Sequence, residues 1–292
     1  MCLSVSPKMI MFAGFWLCLS GLVCAQSNDI TAHPFVVTGV VQNSNSALLL
    51  KEFSDYLSQH AGYPLKLSYA ANYSELSKKM RDDPHAIGWT CGAPYVQDSD
   101  ADKQQLVAVP TFKQKPTYYS VILTRTNRAE KSLSDFKGGV LAYSDPRSNS
   151  GYLSPKYSLY KQGINMETYF RVLLNAGNHE GSIQALLSGL ADVAAVDEYI
   201  WVAYLHDFPD AKNKLHEIER MGPYPFTPIV ASQGVSKNDI NKLTAALVKM
   251  KNDKKGRELL QKFNLDDFVK KDTEFYNPIR TMLSKVEIVK GN

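Results

Sequence analysis

The sequence predicts an α/β protein of two lobes, each a mixed, mostly parallel sheet covered by helices, with a ligand cleft between them. Three observations predict it. Short β-branched apolar runs alternate with amphipathic stretches along the chain, the order that lays strands in parallel and helices over them. The alternation starts again near residue 118 with no Gly/Ser linker before it, so two units pack against each other. The 292 residues are 44% hydrophobic and 21% charged, an ordinary globular composition with ample core material.

The N-terminus reads as an export signal. Lys8 precedes an apolar run over 9–23, and Val23-Cys24-Ala25 offers a small-residue cleavage site, placing a signal peptide at 1–25 with cleavage after Ala25. A retained anchor helix and a lipoprotein signal at Cys24 are the alternatives, but the run is short for a membrane span and Val23 is bulky for lipoprotein processing. Of the cysteines at 2, 18, 24 and 91, only Cys91 survives such cleavage. It cannot then form an internal disulfide.

The elements follow in order. Residues 34–41 (PFVVTGVV) read as a buried strand. Residues 46–61 carry Leu48, Leu49, Phe53 and Leu57 at helical spacing. Strands follow over 65–70, 86–90 and 106–110, with a helix over 73–80. In the second unit, 119–124 (YSVILT), 140–143 and 193–196 (VAAV) read as strands. Helices are expected from about Ser150, over 181–188 and over 198–205. A strand over 228–231 precedes helical segments at 237–250, 254–263 and 273–284. The Pro-containing polar segments 113–117 and 223–228 are the expected crossovers. Lobe 1 therefore comprises 26–117, lobe 2 comprises 118–227, and 228–292 returns to lobe 1 with the C-terminal helices. A cleft at the carboxyl ends of the strands is where a small ligand sits in such folds.

Four segments could carry chemistry. In Tyr143-Ser-Asp-Pro-Arg-Ser-Asn-Ser-Gly-Tyr152, Ser148, Asn149 and Ser150 open a helix. Such residues cap free backbone N–H groups, or leave them to meet an anion. Four or five charge-assisted bonds of roughly 1.5–3 kcal/mol each suffice for micromolar binding. In Gly177-Asn-His-Glu-Gly-Ser182, His179 stands at a second helix start, as an oxyanion donor or a solvated residue beside a cap. Asp197 follows the VAAV strand directly, as a ligand carboxylate or an N-cap, with Glu198 beside it. In Trp89-Thr-Cys-Gly-Ala-Pro-Tyr95, an aromatic and the lone thiol end a strand, with Cys91 either packed or activated at a helix start. The sequence shows no nucleophile elbow, P-loop or metal-spaced His/Cys cluster. No metal or cofactor is expected, and the formal charge of +4 does not suggest a nucleic-acid partner.

In chain order, Trp89 to Tyr95, Asp145 to Tyr152, Gly177 to Leu186 and Ala191 to Asp197 together resemble the phosphate/phosphite/phosphonate-binding family of ABC-transporter periplasmic proteins. The resemblance implies a type II periplasmic-binding-protein-like fold that closes on its ligand, and a non-enzymatic role as a monomer serving a membrane permease. It further implies that Ser148, Asn149 and Ser150 cradle the anion, that His179 and Asp197 face it, with Glu198 the lesser candidate for the carboxylate, and that Tyr119 or Tyr118 lines the cleft from the crossover. Trp89 and Cys91 complete the expected ligand set. Asn149 stands where relatives often carry threonine, and Cys91-Gly92 where they often carry Gly-Pro. Two other roles stay open: a periplasmic sensor for a thiophilic oxyanion, using Cys91 and docking on a membrane kinase, and an enzyme using Cys91 with His179.

Overall fold

A computed structural model describes residues 1–3, 31–39 and 46–288. The expected signal-peptide core and its cleavage site lie outside the described residues, as do residues 40–41 of the first expected strand.

The first sheet is built from β1 (His33–Val37), β2 (Leu65–Tyr69), β3 (Ile87–Trp89), β4 (Gln105–Thr111), β10 (Ile229–Ala231) and β11 (Asp267–Val269), in the order β11-β4-β10-β3-β1-β2. The second holds β5 (Thr117–Arg125), β6 (Val140–Tyr143), β7 (Val172–Asn175), β8 (Val193–Asp197) and β9 (Leu215–Pro225), in the order β7-β6-β8-β5-β9. We call these sheets, with their helices, lobes 1 and 2. The two share one plan. In each, the first three native strands run parallel, and the strand that arrives from the other lobe is inserted antiparallel beside the third. The chain crosses at residues 112–116 and returns at 226–228.

Helices cover the sheets. In lobe 1 these are α1 (Ser46–Ala61), α2 (Tyr73–Asp82) and α3 (Gly92–Ala101). Lobe 2 has α4 (Ser154–Tyr160), α5 (Met166–Tyr169), α6 (His179–Leu187) and α7 (Glu198–Asp207). After the return come α8 (Lys237–Val248), α9 (Lys254–Lys262) and α10 (Asn277–Ile288). Strand residues of lobe 2 alternate between two cores, as the two-residue period of a strand demands. Val121, Leu123, Ala194 and Val196 face α6 and Trp201. Ile122, Leu141, Val193 and Ala195 face Leu159, Met166 and Phe170. A sheet buried on both faces reads as unbroken apolar runs, which is why these strands were legible.

The short strands β7 and β11 and the single turn α5 are not among the expected elements, and two larger features also differ from expectation. The helix expected from Ser150 opens instead as a π turn, Asn149–Leu153, before α4. Leu153 N–H donates to the Ser148 carbonyl at 3.0 Å, five residues back. Pro155 accounts for the wider turn: it has no N–H to give the carbonyl four residues back, and its ring would clash there. No strand is expected over β9, because His216, Glu217, Glu219 and Arg220 break its apolar pattern. It is an edge strand, where charge is at home.

Candidate functional site

The loop after β6 carries Ser144 to Ser148 into the π turn, at the junction of the lobes. Ser148, Asn149 and Ser150 are fully buried there. Ser148 Oγ accepts the Gly151 N–H at 3.0 Å, so this hydroxyl caps the turn. The Asn149 backbone N–H reaches across to lobe 1 and points at Cys91 Sγ, 3.3 Å away, while its Nδ2 donates to the Tyr118 hydroxyl of β5 at 2.9 Å. Its Oδ1 has no hydrogen-bond partner, and neither has Ser150 Oγ, which lies near the Tyr118 hydroxyl without bonding to it. Leaving a buried polar atom unmade costs about 1–3 kcal/mol, so two such atoms on adjacent residues call for a physical account.

His179 and Asp197 meet beside this turn. Both are buried. The Asp197 backbone N–H donates to His179 Nδ1 at 3.2 Å, which leaves the ring proton on Nε2, 3.4 Å from Ser144 Oγ. That second contact is long enough for the proton to be redirected to a better acceptor. Burial lowers the His179 pKa to about 3, so the ring is a neutral donor. Burial raises the Asp197 carboxyl to about 8, against the lowering pull of N–H bonds from Tyr199 and Ile200. At neutral pH its acid form predominates. Asp197 Oδ1 also caps α7 by accepting the Tyr199 N–H at 2.8 Å, so the cap and ligand readings of this residue are compatible.

Not all expected residues converge here. Trp89 is in the lobe 1 core, its ring 5.4 Å from Phe53 and 5.5 Å from Phe263, with Nε1 donating to Thr227. Glu198 is taken by two cations, Lys113 and Arg220, each at 2.8 Å. Burial acts to raise its pKa, and these cations outweigh it to leave the group below the usual carboxylate range. Tyr119 lies under the Arg220 guanidinium, 4.9 Å from the ring centroid. Its neighbour Tyr118 faces the turn instead, because consecutive strand residues point to opposite faces. Cys91 does reach the junction, but burial pushes its thiol up, the reverse of what a nucleophile needs.

Tyr73, at the start of α2, was not singled out from sequence. It is buried against Cys91, and Cys91, Asp145, Tyr118 and Asp197 are among the groups that follow burial in raising its hydroxyl. Its only sequence signal is a place just after Asn72, the side chain that caps α2. At the mouth, Thr38, Gly39 and Asn72 face Ser144, Asp145, Gly177, Asn178 and His179 across a gap of about 10 Å³. No group of three or more His, Cys, Asp or Glu suited to a metal occurs among the described residues.

Residues 35–276 match the family model described as ABC transporter, phosphonate, periplasmic substrate-binding protein. The chain belongs to this family. It is a periplasmic substrate-binding protein of the phosphonate ABC-transporter type. Among curated relatives, it is 22% identical over 281 residues to a Prochlorococcus marinus protein named "probable ABC transporter phosphite binding protein", covering 90% of this chain and 94% of that one. It is also 22% identical over 213 residues to the phosphonates-binding periplasmic protein of Escherichia coli, covering 70% of this chain and 63% of that one. Among solved structures, a binding-protein component of an ABC phosphonate transporter from Pseudomonas aeruginosa superposes with a TM-score of 0.78 at 23% identity, covering 87% of each chain. The Prochlorococcus marinus protein in complex with methylphosphonate superposes at 0.76 with 20% identity, covering 87% of this chain and 98% of that one. These likenesses establish the two-lobed fold. Neither the sensor nor the enzyme reading finds support among them.

Proposed function

We propose that this family member captures a phosphonate- or phosphate-like oxyanion between its lobes and delivers it, as a monomer, to an ABC-transporter permease. The observation that carries the reading is the pair of buried, unpartnered polar atoms on Asn149 and Ser150, flanked by uncharged proton carriers. Ser150 Oγ, the Nε2–H of His179 and the acid proton of Asp197 are three donors that can turn to one tetrahedral anion. Tyr73 closes the site from lobe 1, and Tyr118 from the start of β5. A set of neutral donors suits an anion that arrives hydrated and must be recognised by hydrogen bonds, each roughly 1.5–3 kcal/mol when charge-assisted.

The crossings at 112–116 and 226–228 serve as the hinge, with the division of lobes near residues 117 and 227. Contacts from both lobes to one ligand favour the closed state. The apolar segment 9–23 with the Ala25 site acts as the cleavable export signal, consistent with a periplasmic family. Among the described residues, no helix is long and apolar enough to cross a membrane.

A thermal-shift panel of methylphosphonate, phosphite, phosphate and sulfate tests the reading. A ligand at 100 times its Kd stabilises by about 2.7 kcal/mol. Ser150→Ala removes a hydroxyl that has no partner in the fold, so the ligand-free Tm should hold within about 2 °C while the shift shrinks by more than half. A variant that keeps the full shift removes Ser150 from the site.

A further inference from the structure

The loop that carries the cradle is held from the opposite lobe. Asp145 lies three residues before Ser148, and its Oδ2 accepts the Tyr73 N–H of α2 at 3.2 Å, while Oδ1 accepts the Arg147 N–H at 2.7 Å. A lobe 2 carboxylate thus serves a free N–H at the N-terminus of a lobe 1 helix, where the helix dipole favours negative charge. Arg147, directly before Ser148, sends its whole guanidinium into lobe 1. Nε donates to Gln97 at 3.1 Å, Nη1 to Ser77 Oγ and the Tyr73 carbonyl, and Nη2 to Asp98. The Asp98 carboxylate is 5% exposed and Arg147 is 21% exposed. Its other oxygen, Oδ2, takes Ser77 and Gln104. A buried pair this fully bonded has directional demands that only one arrangement of the lobes meets.

We propose that Arg147, with Asp145, is a clasp: it locks the cradle loop onto α2 and α3 when the lobes close, and so sets ligand residence time from outside the ligand's reach. Arg147 is a positioning residue. When the lobes part, its guanidinium leaves Asp98, Ser77 and Gln97 together, and the loop holding Ser148 to Ser150 loses its support from lobe 1. Closure and cradle order are therefore one event. The ligand half of this inference rests on the oxyanion reading, and the closure half does not.

The test compares wild type, Arg147→Gln, Arg147→Lys and the double variant Asp98→Asn/Arg147→Gln, which removes both charges of the buried pair. Small-angle X-ray scattering on ligand-free protein reads closure, and stopped-flow release of methylphosphonate reads residence. Melting curves establish that each variant is folded. We expect Arg147→Gln to have a larger radius of gyration and to release methylphosphonate about tenfold faster, with association changed less than about threefold. Arg147→Lys should fall between, because an ammonium cannot reproduce the guanidinium fork. The double variant should be no worse than Arg147→Gln, since the two side chains act as one unit. A folded Arg147→Gln whose scattering or release rate matches wild type overturns the clasp. If wild type binds neither methylphosphonate, phosphite nor phosphate, the oxyanion reading has failed, and the scattering comparison alone decides whether the clasp exists.

Discussion

His179 and Asp197 share one burial and respond to it with opposite signs. The folded pKa of Asp197 is raised to about 8, so its contribution to stability is full below the unfolded value near 4 and is lost as pH rises through 8. The folded pKa of His179 is lowered to about 3, so its contribution is present above about 6.5 and is lost as pH falls through 3. Asp197→Asn keeps an oxygen for the Tyr199 N–H and removes the titration. Its Tm should fall less than that of wild type between pH 6 and 9, checked by calorimetry at fixed ionic strength. Oxyanion affinity of wild type should also drop at least several-fold from pH 7 to 9, because ionised Asp197 repels the ligand and no longer donates. An Asn variant with the wild-type pH profile would rule out Asp197 as the titrating group. The sequence made Asp197, His179 and the Ser148 to Ser150 run legible because each sits at a strand end or helix start. It did not separate Tyr118 from Tyr119, since the facing of a strand residue depends on a register that local pattern leaves open. Trp89 misled for a similar reason: a strand-end aromatic serves a core as readily as a cleft.

The π turn is the element on which the site depends. Gly151 permits it, since a Cβ there would stand 2.2 Å from Ser144 Oγ and 3.1 Å from the Ser144 backbone nitrogen. The Ser144 hydroxyl would have to turn away from His179 to make room, and the Ser144 backbone would still be pressed. Gly151→Ala should destabilise the fold by about 1–3 kcal/mol through overpacking and weaken oxyanion binding at least tenfold, measured by urea unfolding and calorimetric titration. Unchanged affinity would show that the cradle does not need this turn. At this scale most helices and the buried strands were readable from apolar periodicity. The turn itself was not, because its geometry arises from the joint presence of Gly151 and Pro155 rather than from any propensity. The edge strand β9 escaped for a related cause: its pairing with β5 is a long-range contact, and its charged face carries no apolar period.

Ties between the lobes are not confined to the contact of Asn149 with Cys91. Arg147 and Asp145 hold the loop after β6 to lobe 1. Elsewhere, Lys113 in the first crossing meets Glu198 at the start of α7, which also receives Arg220 of β9. The Tyr199 hydroxyl donates to the Phe263 carbonyl after α9, adding a bond between α7 and the returned segment. The contact between the lobes is thus supported near the crossings as well as at the loop after β6. Glu198 distinguishes a structural from a ligand-reading role for the two acidic residues at the end of β8 and the start of α7. Its carboxylate is 5% exposed, whereas Lys113 and Arg220 are 57% and 41% exposed. Solvent screening of these cations limits the tie to roughly 1 kcal/mol. Glu198→Gln should therefore lower stability by about 0.5–2 kcal/mol in urea unfolding and leave oxyanion affinity within about threefold of wild type. Raising the salt from 0.1 to 1 M, about a threefold shorter Debye length, should narrow the stability gap between the two proteins. A loss of affinity beyond tenfold would instead put Glu198 on the ligand and leave the crossing held by hydrogen bonds alone.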